Sequence, residues 1–143
     1  MRLIVLAVGR LRPPYVDDVQ HYAKLLSRYA RLELVEVREA DQVPARVPHA
    51  PAGGGRRPFV SLLDSGGESF SSPAFAAFLE QRRRSGRDLC FVVGGAYGLE
   101  DLDAAEHRFS LGPMTLPHQL ARVVLLEQLY RGHKILAGEP YHH

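Results

Sequence analysis

The chain holds a single cysteine, Cys90, so it cannot form an internal disulfide. That excludes a disulfide scaffold and fits a reducing, cytoplasmic compartment. Cys90 stands between Leu89 and Phe91 in an apolar run. A buried core thiol is expected there, because a catalytic thiol needs basic, partly exposed surroundings. Long apolar stretches are missing as well. None approaches the ~18 residues that a membrane span requires. The apolar start, Met1 to Gly9, is too short for a secretory signal and lacks a convincing cleavage site, so a buried strand is expected. Charge of one sign is scarce: the formal net charge is +2, with seven histidines uncounted. Such a balance permits RNA binding without demanding it. Two phosphate-binding fingerprints are also absent. Gly94, Gly95 and Gly98 do not make G-x-G-x-x-G, and no Lys-Ser or Lys-Thr closes a Walker A loop. Nicotinamide and nucleoside-triphosphate enzymes are thereby disfavoured.

What is present is a chain of 143 residues, 45% of them hydrophobic, long enough for one domain with a real core. Arg2 to Val8 is expected as a buried strand that turns at Gly9. Pro13 and Pro14 are expected to open a helix running to about Tyr29, with Val16, Val19, Tyr22, Ala23, Leu26 and Tyr29 on its apolar face. Leu32 to Val37 is a second strand. From Ala40 to Pro58 four prolines and a Gly53-Gly54-Gly55-Arg56-Arg57 tract predict a mobile loop. It is either a solvated linker or an RNA-touching loop using Arg46, Arg56 and Arg57.

Phe59 to Leu63 is a third strand ending in a turn at Asp64 to Gly67. Ser71 or Ser72 then caps a helix through about Arg84, with Phe75, Phe78 and Leu79 inside. Arg82-Arg83-Arg84 suits the helix end electrostatically, or touches phosphate. Asp88 to Val93 is a fourth strand. A short helix near Glu100 to His107, a short strand Phe109 to Leu111 and a long helix from His118 to about Ala137 complete the pattern. Continuous apolar strands alternating with helices predict an α/β fold: a mostly parallel sheet with helices on both faces.

Three loops follow three apolar strands: Leu63 to Gly66, Gly94 to Gly98, and Gly112 to Pro117. In open α/β sheets ligands bind at the carboxyl ends of the strands. Gly94-Gly95 suits either a tight turn or a close backbone approach. In the third loop Pro113 and Pro117 bracket Met114-Thr115-Leu116, which stiffens a backbone able to hydrogen-bond a purine edge. His118 begins the last helix, and Arg122, Glu127 and Arg131 follow along it. Arg122 is expected to be structural or an RNA contact. The terminal Tyr141-His142-His143, taken alone, suggests a frayed end.

The segments Phe91 to Leu99, Leu111 to Val123, Glu127 to Arg131 and Pro140 to His142 resemble the RlmH family, the large-subunit ribosomal RNA pseudouridine N3-methyltransferases of the SPOUT superfamily. Val8 to Leu11 with Tyr15, Leu26 to Ala30, and Phe70 to Ser72 fit as well, so the resemblance covers essentially the whole chain. It implies a single SPOUT domain over residues 1–143 with a C-terminal trefoil knot, an exception to the unknotted rule. It implies S-adenosyl-L-methionine bound in a bent form at Leu63, Gly94, Gly95 and Gly112, Pro113, Met114, Thr115, Leu116 and Pro117. It assigns substrate and catalytic roles to His118, Arg131, Tyr141 and His142. A homodimer is implied, each tail completing the partner's site. The implied substrate is a pseudouridine in the decoding-site stem-loop of 23S ribosomal RNA, within the assembled 70S ribosome, with no metal and no membrane. Two departures stand out: residues 41–58 are shorter and richer in Pro and Gly than is usual, and the last residue is His143 where the family often has Lys or Arg.

Pseudouridine N3 carries an imide proton, which must leave as the nitrogen meets an activated methyl group. His118 or His142 is expected to accept it. Arg131 is expected to steady the imide anion or grip phosphate, and Tyr141 to stack on the base. Three other readings compete. One is an assembly factor without methyl transfer, which would need degraded cofactor loops. Another is a SPOUT enzyme for transfer RNA, which would need an added domain. The last is a small-molecule enzyme, which would need a phosphate fingerprint.

Overall fold

A computed structural model describes residues 1–50, 55–95, 99 and 101–141. The elements run in order β1 (Arg2–Val8), α1 (Tyr15–Leu26), β2 (Arg31–Val37), a 3-10 turn (Ala40–Gln42), α2 (Val43–Arg46), β3 (Phe59–Ser69), α3 (Ser72–Ser85), β4 (Leu89–Val93), β5 (His107–Ser110) and α4 (His118–Leu136). The five strands form one sheet in the order β2-β1-β4-β3-β5, and all four ladders are parallel.

The strand order decides which face each connection takes. The β1-to-β2 and β3-to-β4 steps go the same way across the sheet, so right-handed crossovers place α1 and α3 on one face. The β2-to-β3 and β4-to-β5 steps go the other way and send their connections to the opposite face. Strand side chains alternate accordingly. Leu3, Val5, Ala7, Leu89, Phe91 and Val93 meet Val19 and Leu26 of α1, Phe75 and Leu79 of α3, and Leu125 and Leu129 of α4. Ile4, Leu6, Val8, Val60, Leu62, Cys90 and Val92 meet Val43, Val47 and Leu102. The expectation of helices on both faces needs correcting in its balance: three long helices share one face, and among the described residues the other carries the 3-10 turn, the single turn α2 and irregular chain. Cys90 is fully buried, and desolvation pushes its thiol up to about 12, so it is an inert core group.

Other boundaries also shift. The first helix starts at Tyr15, after Pro14, and stops at Leu26, where single turns carry the chain to Ala30. The first half of the expected mobile loop, residues 40–46, is helical instead: Val43 and Val47 have apolar surface to bury, and Glu39 and Gln42 form a reciprocal cap. Asp64 to Gly67 is not the end of a strand. β3 runs on to Ser69 through a bulge, because Leu63 and Glu68 both face Phe109 of β5. Gly67 permits this: a Cβ there would stand 2.5 Å from the Phe109 backbone nitrogen. The short helix expected near residues 100–107 is absent from its described part. Residues 101–106 make a turn, and His107 already belongs to β5, which ends at Ser110 rather than Leu111. Ser71 is the cap of α3, accepting from the Ala74 N–H at 3.2 Å.

Candidate active site

The carboxyl edge of the sheet carries two neighbouring clefts. The first, of about 180 Å³, is lined by Leu63, Asp64, Ser65, Leu111, Gly112, Met114, Thr115, Leu116 and Ala121. It unites Leu63 with most of the proline-bracketed loop, as expected. Leu63, Leu111, Leu116 and Ala121 supply apolar walls. The backbone groups of Met114, Thr115 and Leu116 pair with no other backbone group among the described residues. Gly112 adopts φ 126°, which an L side chain would strain, and its N–H and C=O are both bonded to the Ser110 hydroxyl at 3.0 Å. Asp64 on the rim pairs with Arg108 at 2.8 Å. That hydrogen bond, helped by the Gly66 N–H, holds its carboxyl below the usual range.

The second cleft, of about 430 Å³, is lined by Val8, Gly9, Arg10, Arg12, Arg38, Glu39, Ala40, Gly95, His118 and Gln119. Gly94 follows the last residue of β4, and Gly95 lies against Val8. The two glycines therefore sit at the same strand edge as the loop, but Gly95 lines the cleft of His118 rather than that of Leu63. Gln119 is a residue the sequence did not single out. Its Oε1 accepts from the Arg12 N–H at 2.8 Å and its Nε2 donates to the Arg10 carbonyl at 3.0 Å, so it clamps the cleft's arginine loop to α4. Arg122 is structural: 3% exposed, it donates to Glu36 at 2.6 Å and to the carbonyls of Val8 and Gly9.

Arg131 and Tyr141 stand elsewhere. Thirteen residues of helix separate Arg131 from His118, about 20 Å at 1.5 Å per residue. The tail turns back after α4, so that the Tyr141 hydroxyl donates to Glu127 Oε1 at 2.6 Å. Arg131 donates to the same oxygen at 2.9 Å and lies 3.9 Å over the Tyr141 ring. Burial, with the Glu127 hydrogen bond, pushes the Tyr141 hydroxyl upward, so it stays a phenol at neutral pH. Tyr130 packs edge-on to Tyr141, and Tyr29 and Lys134 hold Glu139 just before it. Glu127 thus organises this cluster; its i,i+4 spacing to Arg131 was the available sequence signal. His142 lies outside the described residues, as do Ala96, Tyr97 and Gly98.

The chain is thus a parallel α/β protein with a proline-stiffened, backbone-rich cleft at the carboxyl edge of its sheet, a class that takes ligands at that edge. Within it the chain belongs to the SPOUT methyltransferase family: the family model described as "Predicted SPOUT methyltransferase" matches residues 1–142. The relatives bear out the RlmH resemblance. Proteins named ribosomal RNA large subunit methyltransferase H are similar to nearly the whole chain. The one from Anaeromyxobacter sp. (strain Fw109-5) is 47% identical over 152 residues, covering 99% of each chain. That from Geobacter sp. (strain M21) is 43% identical over 156 residues, covering 100% of this chain and 99% of its own. That from Nitratidesulfovibrio vulgaris (strain DP4) is 42% identical over 152 residues, covering 99% and 97%.

Proposed function

We propose that this chain, as a single SPOUT domain over residues 1–143, is a ribosomal RNA methyltransferase that uses S-adenosyl-L-methionine to methylate N3 of a pseudouridine in the decoding-site stem-loop of 23S ribosomal RNA, on the assembled 70S ribosome in the cytoplasm. The named relatives support the substrate class. The residues of the first cleft fit the cofactor: apolar walls suit an adenine face, and the open backbone of residues 114–116 suits its edge. When bound, that group supplies an activated methyl. The C-terminal trefoil knot implied by the family resemblance belongs to the same reading.

The observation that carries the proposal furthest is a separation. His118 and Gly95 line one cleft, while Arg131 and Tyr141 are about 20 Å along α4. One chain does not bring them together, so a homodimer is proposed in which the tail of one subunit completes the site of the other. In that assembled site Tyr141 stacks on the target base and Arg131 steadies the charge left on the imide. His118 or His142 accepts the N3 proton. Glu127 holds Arg131 and Tyr141 in a fixed relation, which supplies alignment rather than chemistry.

Tritium transfer from S-adenosyl-L-methionine to 70S ribosomes, set against separated subunits, with the labelled base mapped, tests the reading. Label at N3 of a pseudouridine in 70S particles is expected. Equal labelling of a naked RNA hairpin would overturn the requirement for the assembled ribosome.

A further inference from the structure

The sequence left two arginine groups apart: Arg56-Arg57 in a loop and Arg82 to Arg84 at a helix end. The fold joins them. Arg56 donates to the Ser85 carbonyl at 3.1 Å. Arg87 donates to the Arg57 carbonyl at 2.7 Å and the Pro58 carbonyl at 3.2 Å, while pairing with Glu106. Arg82 lies 4.3 Å over the Phe59 ring, and its Nε is buried without a hydrogen-bond partner. Arg83 and Arg84 share one carboxylate, Glu80.

Six arginines thus stand with two carboxylates, Glu80 held by Arg83 and Arg84 and Glu106 held by Arg87. The local excess of four positive charges exceeds the +2 of the whole chain, so the rest of the molecule is net negative. Arg56, Arg57, Arg83 and Arg84 are exposed. The patch sits at the amino ends of β3 and β4, opposite the clefts. Phe59 and Leu63 bound that distance: four strand residues, or about 13 Å.

We propose that this patch is a second RNA-binding surface, which grips the phosphate backbone several nucleotides from the methylated base. Guanidinium groups, with no lysine among them, suit bidentate contact with phosphate. The loop is tied to the helix end, so the cations are held in place before binding. Among the described residues no exposed large apolar side chain accompanies them, which disfavours a lipid surface. The proposal rests on the ribosomal RNA reading for the identity of the RNA, but not for the contact itself.

The test is the fourfold variant Arg56→Gln, Arg57→Gln, Arg83→Gln, Arg84→Gln, with thermal melting as the check on folding. Ribosome binding by sedimentation is read against salt, and methyl transfer is read as KM and kcat separately. A rise in KM of tenfold or more is expected, with kcat and cofactor affinity within twofold of wild type. The slope of log affinity against log salt should fall by about 3 for four lost phosphate contacts. The corresponding Arg→Lys variant should restore the slope. Unchanged binding and slope would overturn the proposal, as would loss of binding to anionic vesicles alone. If wild-type protein transfers no methyl group yet binds ribosomes through these arginines, the functional reading fails and the patch stands.

Discussion

Arg131 lies 3.9 Å above the Tyr141 ring, and both side chains bond to one oxygen of Glu127. The arrangement fixes Tyr141 against α4. Hydrogen bonds to a charged acceptor are worth about 1.5–3 kcal/mol each. Glu127→Ala should therefore release both groups and lower kcat tenfold to a hundredfold, with cofactor affinity within twofold of wild type. Methyl-transfer kinetics beside equilibrium binding of S-adenosyl-L-methionine check this. Equal loss of both would place Glu127 in the cofactor cleft instead.

The distance between His118 and Tyr141 predicts complementation. His118→Ala and Tyr141→Ala should each be nearly inactive as homodimers. If the site is built from two subunits, a mixed dimer keeps one site with both residues intact. Co-refolding the two variants should then restore activity, read as tritium incorporated into ribosomes. No recovery would place both residues in one chain's site.

Gly112 predicts a cofactor defect. Its φ of 126° costs a residue with a Cβ about 1–3 kcal/mol. Gly112→Ala should weaken S-adenosyl-L-methionine binding roughly tenfold by calorimetry and leave the fold intact by circular dichroism.

Arg122 predicts a stability defect. Removing it strands the carbonyls of Val8 and Gly9 and takes from Glu36 its salt-bridge partner, leaving it the Leu11 N–H. Glu36 is half exposed, so the loss is set mainly by the carbonyls, at about 2–4 kcal/mol. Arg122→Ala should melt roughly 6–12 °C lower by calorimetry. An unchanged melting temperature would show that water replaces the guanidinium.

Acid should loosen the end of α3. The Arg83 hydrogen bond, then Arg84, lowers the Glu80 carboxyl from 4.5 to about 2. A depressed folded value means that its stabilisation is full above the unfolded value and is lost as pH falls from about 4.5 towards 2. Wild-type melting temperature should fall more steeply across that window than that of Glu80→Gln. Matching slopes would show that the pair contributes nothing in solution.

Much was legible in the sequence because it depends on local chemistry. Continuous β-branched and apolar runs marked the strands Arg2–Val8 and Leu89–Val93. Ser71 or Ser72 before Pro73 marked the start of α3, with Ser71 the cap, and the Pro113–Pro117 loop marked a stretch that lines a cleft. The RlmH-like motifs gave the family that the relatives bear out. The bulge at Asp64 to Gly67 was not legible, because turn residues carry the same composition whether a strand ends or continues past them. Nor was the irregular course of residues 101–106 before β5, since a charged stretch with helical propensity yields to the short crossover its strands require.

By itself, then, the sequence determined the parallel α/β class, the strands and the proline-bracketed loop that lines a cleft at their carboxyl edge, because spacing, prolines and strand composition act within a few residues. Only the tertiary structure decided which of His118, Arg131 and Tyr141 meet. Crossover handedness put α1 and α3 on one face, apolar packing added α4 to it, and helix rise set His118 about 20 Å from Arg131. Glu127 and Gln119 gained their positioning roles, and two arginine groups became one patch, because those contacts join residues that only the folded chain brings together.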